Sequence, residues 1–211
     1  MARRLLLAAL FPALLLPLSC TQFFTTSLAP WAARDPSDLI PAVKASNVAD
    51  LVAMAAGDPA MSLEVLKGIE SAVAKASEAD KPALQAAALE AAANASGVGP
   101  AILNTAGDVV SSLDGEDPDA VKSVIVGAVA GLGQLAQTSA SLTALLPDPA
   151  DTSAFDAFVA AASPDDLASA AVVLLAAEAK ASGDVSGYLD NFDPAAPASP
   201  AGEIAVALAP A

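Results

Sequence analysis

The sequence predicts an all-α protein: an irregular array or bundle of about eight helices following an N-terminal signal peptide. Three observations carry this expectation. Hydrophobic residues make up 55% of the 211, but aromatics only 4%. Such a core is built from Ala, Leu and Val and suits close helix–helix contact. Seven short phrases place a proline at the first turn of an apolar run with helical spacing: Asp35-Pro36, Asp58-Pro59, Lys81-Pro82, Gly99-Pro100, Asp117-Pro118, Asp148-Pro149 and Ser163-Pro164. An Asp or Ser side-chain oxygen at the N-cap takes up an orphan N–H, and proline has none to satisfy. Finally, no stretch sustains the period-2 alternation of β-branched residues that a strand requires.

In order, the spacing predicts helices near 36–45, 47–56, 59–77, 81–95, 99–113, 118–146, 151–162, 164–182 and 185–191. Two show their buried stripe directly. In 59–77, Met61, Val65, Ile69 and Val73 recur at i, i+4 with Leu66 alongside, and the charged residues lie largely off that line. In 164–182, Leu167, Ala171, Leu174 and Leu175 form a face with Val172 beside it; Asp165 and Asp166 start the helix and Lys180 ends it, complementing its dipole. Tyr188 and Phe192, at i, i+4, are expected to pin the last helix to the core. Residues 193–211, rich in Pro and Ala, read as a tail in which Glu203–Leu208 could form one short docked turn. The domain reading is therefore signal peptide 1–19, tether 20–34, helical domain 35–192 and tail 193–211.

The N-terminus reads as an address. Arg3 and Arg4 precede an apolar run from Leu5 to Leu18, too short for a membrane span of roughly 20 residues and interrupted by Pro12 and Pro17. The only cysteine of the chain, Cys20, follows directly after small Ser19. This arrangement resembles the lipobox of bacterial lipoproteins, in which the cysteine becomes the acylated N-terminus. Pro17, where Leu is usual, fits the looser lipoboxes of spirochaete-type lipoproteins. The resemblance covers the lipobox, the start Cys20-Thr21-Gln22-Phe23-Phe24 and the Ala-rich composition. It implies lipidation at Cys20, with palmitate-like chains anchoring the protein to a membrane, and a location in the bacterial cell envelope, with the domain in the periplasm or at the cell surface. Two or three acyl chains anchor stably where one is marginal. Ser163 to Gly183 is also faintly similar to a tetratricopeptide helix.

Charge and residue usage exclude several functions. Net charge is −15. With the two arginines of the signal removed it becomes about −17, seven basic against 24 acidic residues. Phosphate-backbone binding needs clustered Lys and Arg, so no nucleic-acid partner is expected. Histidine is absent, which removes every mechanism that needs an imidazole. One cysteine allows neither an intramolecular disulfide nor a cysteine-based zinc site.

Three kinds of feature offer candidate chemistry. Ser123–Pro147 carries no charge and holds Gly127, Gly131 and Gly133. With Ile125, Val129, Leu132, Leu135, Leu142 and Leu146 recurring every three to four residues, it reads as the central helix of a bundle. Its glycines mark close approach of a neighbour or a kink, or open a cleft for an apolar small ligand. Asp114-Gly115-Glu116-Asp117-Pro118-Asp119 clusters carboxylates, the ligand type for calcium, but departs from the EF-hand order and reads as an acidic turn. Asp148-Pro149-Ala150-Asp151 reads in the same way, while Asp165 with Asp166 and Asp190 with Asp193 are paired carboxylates for which helix capping suffices. No catalytic residue, cofactor or metal is expected. The expected role is a non-enzymatic, membrane-anchored interaction or scaffold module with a protein partner. The alternative is a periplasmic ligand-binding accessory of a solute transport system, by analogy with tetratricopeptide-like lipoproteins.

Overall fold

The computed structural model describes residues 40–101, 104, 105 and 118–209. The signal peptide at 1–19, Cys20, the tether at 20–34 and most of the acidic turn at 114–119 lie outside them. Among the described residues all regular structure is helical, with no strand. Nine helices are bounded: α1 Val48–Ala55, α2 Pro59–Val73, α3 Lys81–Ser96, α4 Pro118–Gly131, α5 Leu135–Leu145, α6 Thr152–Ala161, α7 Pro164–Ala181, α8 Val185–Asn191 and α9 Pro200–Leu208. A tenth begins at 98, so the number exceeds the eight or so expected.

The caps form as their side chains dictate. Asp58 accepts from Ala60 and Met61 N–H at 3.0 and 3.1 Å, and Asp151 from Ala154 N–H at 3.2 Å. Ser163 Oγ accepts from Asp166 N–H and donates to the Asp166 carboxylate, closing both ends of the first turn of α7. At the starts of α8 and α9, Asp184 accepts from Gly187 N–H and Ser199 from Gly202 N–H.

Three expectations on the element boundaries are corrected. Residues 40–44 are not helical. Pro41 cannot donate an interior N–H and disfavours the α region at Ile40. The Asn47 side chain instead bonds back to Ala42 O and Lys44 N–H. The expected continuous helix 118–146 is two helices, α4 and α5, bent by 87° at Leu132–Gln134. Gly131 and Gly133 lower the cost of leaving the helix there, and Gln134 takes the left-handed region with φ 52°. Residues 200–208 of the expected tail form the full helix α9, docked through buried Ile204, Ala205 and Leu208.

Helices α3 and α7 organise the core. The α3 helix meets α1, α2, α5, α6 and α7, and α7 also meets α4, α5, α8 and α9. Ala88, Ala91, Ala92 and Ala95 of α3 are buried together with Leu84 and Leu89, so neighbours approach it from most directions. Small side chains allow those close approaches. On α2, Val65, Leu66 and Ile69 are fully buried, while Met61 and Val73 lie at the core's edge. On α7, Leu174 and Ala171 are buried as expected, but Val172 is 40% exposed, because the buried face centres on Ala170, Val173 and Leu174. Phe158 of α6 is fully buried and meets Phe155 edge-on, with ring centroids 5.9 Å apart.

Candidate binding clefts

The α4–α5 break builds the first cleft. Once α4 stops at Gly131, its last carbonyls need donors. Lys180, in the last turn of α7, supplies them: Nζ donates to Leu132 O at 2.7 Å and to Ala130 O at 3.2 Å. This lysine, in the last turn of its own helix, therefore closes the end of another. The cleft beside it, about 320 Å³, is walled by Leu132, Leu135, Ala136, Ala177 and Ala181, with Gln134, Gln137 and Lys180 contributing polar atoms. It lies at Leu132, in the stretch whose glycines offer a cleft for an apolar ligand as one alternative, but Gly127 and Gly131 do not line it. A Cβ added at Gly127, Gly131 or Gly133 meets no atom within 4 Å, so these glycines mark no close approach of a neighbour; the kink is the structural consequence of Gly131 and Gly133.

A second, larger cleft of about 630 Å³ runs between the start of α3, Pro147 and the start of α6. Its lining includes Glu78, Lys81, Gln85, Asp151 and Ser153, on walls of Pro82, Pro147, Ala154 and Ala157. Lys81 Nζ lies 2.6 Å from Glu78 Oε1. The elements that meet here are some 60 residues apart in the chain, so no local motif announced the site. The one sequence signal was the Asp148-Pro149-Ala150-Asp151 helix start.

The paired carboxylates are distributed to structural partners. Asp148 accepts from Ala150 N–H and Asp193 from Ala195 N–H. Asp190 pairs with Lys122, joining α8 to α4. Asp165 and Asp166 sit in the first turn of α7. Among the described residues, no three His, Cys, Asp or Glu side chains gather to hold a metal ion. Nor is any described helix long and apolar enough to cross a membrane.

Tyr188 and Phe192 hold the C-terminal part together. Their rings lie 5.6 Å apart. The Tyr188 hydroxyl donates to Glu178 Oε2 on α7 at 2.7 Å. A Cβ at buried Gly202 of α9 would lie 3.2 Å from the same oxygen, so the carboxylate touches both α8 and α9. Burial, then the bond to Glu178 and its negative charge, push the phenol well above its ordinary pKa.

No protein-family model, curated protein or solved structure matches the chain. The functional reading accordingly rests on the residues themselves.

Proposed function

We propose that this chain is a membrane-anchored envelope lipoprotein, in which an irregular array of helices serves as a non-enzymatic interaction or scaffold module. The observation that carries the reading is Cys20, the one thiol of the chain, placed directly after Ser19 and the apolar run Leu5–Leu18. Thioether attachment of a diacylglycerol there, with an amide-linked acyl chain, gives the two or three chains that stable anchoring needs. The absence of histidine and the use of Asp58, Asp151, Asp166, Asp184 and Asp190 in caps and ion pairs support a non-enzymatic role.

Mass spectrometry of the mature N-terminus tests this. A peptide beginning at Cys20 and carrying acyl mass is expected, and Cys20→Ala is expected to leave the precursor unprocessed. A native chain that begins elsewhere, or carries an unmodified thiol, overturns the anchor. Affinity capture from detergent-solubilised envelopes tests the interaction role.

The second reading, a ligand-binding accessory of a solute transport system, is favoured by the cleft at Leu132 and Leu135. Its apolar walls and few polar atoms are those of a small-molecule site, and its volume lies at the lower end of their range. Ala136→Trp, on an exposed part of the wall, is expected to abolish binding of an apolar fluorescent probe without altering the melting temperature. Equal probe binding in the variant counts against the cleft.

A further inference from the structure

The α3–α6 cleft contains an acceptor that the fold itself leaves open. Gln85 is only 8% exposed. Its Nε2 donates to Leu145 O at 2.7 Å, across 60 residues of sequence. That carbonyl can only accept, so the bond fixes which end of the amide faces it. Oε1 is thereby turned the other way, and no donor among the described residues meets it. No buried side-chain polar atom among those residues lacks a partner, so Oε1 opens to solvent, and the space Gln85 lines is this cleft. The bond to Leu145 O thus holds the amide in one orientation, and water rather than the fold satisfies Oε1.

We infer that this cleft binds an uncharged polyhydroxylated molecule, a sugar or polyol, with Gln85 Oε1 accepting from one of its hydroxyls. The remaining polar lining selects this class. Asp151 Oδ1 is taken by Ala154 N–H, which leaves Oδ2 as a second acceptor, and Ser153 Oγ can donate or accept. Lys81 brings a donor beside Glu78. An ammonium ligand would use the acceptors but meet Lys81; a carboxylate would use Lys81 but meet Asp151 and Glu78. A hydroxyl both donates and accepts, so a polyol uses both sets without a like-charge contact. The pyrrolidine rings of Pro82 and Pro147, with Ala154 and Ala157, provide apolar surface for the C–H face of a sugar ring. The volume, about 630 Å³, lies within the roughly 300–1,000 Å³ of small-molecule sites.

Saturation-transfer NMR on the full chain in a zwitterionic detergent tests the inference, with glucose, trehalose and glycerol as probes and propylammonium and acetate as charged comparators. Transfer to at least one of the hydroxylated probes is expected, and neither charged comparator should compete with it. Ala154→Trp changes an exposed wall residue and is expected to abolish the signal by filling the cleft. Gln85→Met, which keeps the volume but removes the acceptor, is expected to weaken binding by roughly tenfold. If Gln85→Met fails to fold, Ala154→Trp alone decides. No transfer to any hydroxylated probe overturns the inference, as do unchanged transfer in Ala154→Trp and tighter binding of propylammonium than of the sugars. None of these results bears on acylation at Cys20, so the anchor and the cleft stand or fall separately.

Discussion

At the scale of single residues, two side chains report on the fold without ambiguity. Tyr188 is the sole tyrosine, so its ionisation can be followed by tyrosinate absorbance with no background from others. In the folded chain its pKa is raised, first by burial and then by the Glu178 hydrogen bond and charge. A raised folded-state pKa contributes stability that is fully present below the unfolded value, about 10. It is lost as pH rises from there through the folded value, because the unfolded chain releases the proton first. The contribution of Tyr188 to stability is therefore expected to fall with increasing pH only above about pH 10. Tyr188→Phe should flatten that fall and cost about 1 kcal/mol at neutral pH, the typical worth of one hydrogen bond. Chemical denaturation at several alkaline pH values checks both, and an identical alkaline slope in the variant would refute the assignment. Phe158 is the second reporter. It is fully buried in α6, where the core is otherwise mostly small aliphatic side chains. Phe158→Ala is expected to cost about 3–5 kcal/mol, measured by urea unfolding. A loss below about 1 kcal/mol would mean that α6 is not seated on the core.

At the scale of helices, what could be read from the sequence was what is decided within a few residues. The starts at Asp58, Asp151 and Ser163 follow from a side chain reaching an N–H two or three residues on. The stripe on α2 follows from its period. What could not be read was decided by contacts between distant segments. The stop of α4 at Gly131 is completed by Lys180, about 50 residues later, and burial of both Leu132 and Leu135 follows from the bend. Val172 reads from the sequence as lying beside the face that holds Leu174, but the neighbours of α7 leave it outward. The clefts share this difficulty, since Gln85 and Leu145 O meet only in the folded chain. The glycines separate local from tertiary roles in a testable way. Gly127 lies within α4 with open space around a Cβ, so Gly127→Ala is expected to stabilise by about 0.5–1 kcal/mol through helix propensity. Gly97 closes α3 with φ 75°, and its N–H bonds Ala93 O. Gly97→Ala is expected to destabilise by about 1 kcal/mol, because a Cβ in the left-handed region meets the following carbonyl. Opposite signs in equilibrium unfolding check the pair; equal signs would contradict the placement of one of them.

At the scale of the whole molecule, the balance of charge governs behaviour that no single contact explains. The chain carries 24 acidic residues against nine basic ones. The three ion pairs found among the described residues all involve at least one side chain half exposed or more, and such pairs contribute about 0–1 kcal/mol each. The acidic residues outnumber the cations that could pair with them, and self-repulsion opposes the compact state. Salt screens both effects: it weakens the few attractive pairs and relieves the many repulsive ones, with a screening length of about 8 Å at 0.15 M. Since the repulsive pairs are far more numerous, the melting temperature at neutral pH is expected to rise when salt is increased from about 0.01 to 0.15 M. Circular dichroism at the two ionic strengths checks this. Sodium chloride serves as the salt, to avoid the separate stabilising effect of sulfate. A melting temperature that falls would mean that Lys67, Lys81 and Lys122 hold the fold more strongly than their exposure allows. A rise supports an acidic surface whose self-repulsion salt relieves, and under the membrane anchoring proposed above the same acidity keeps neighbouring copies apart.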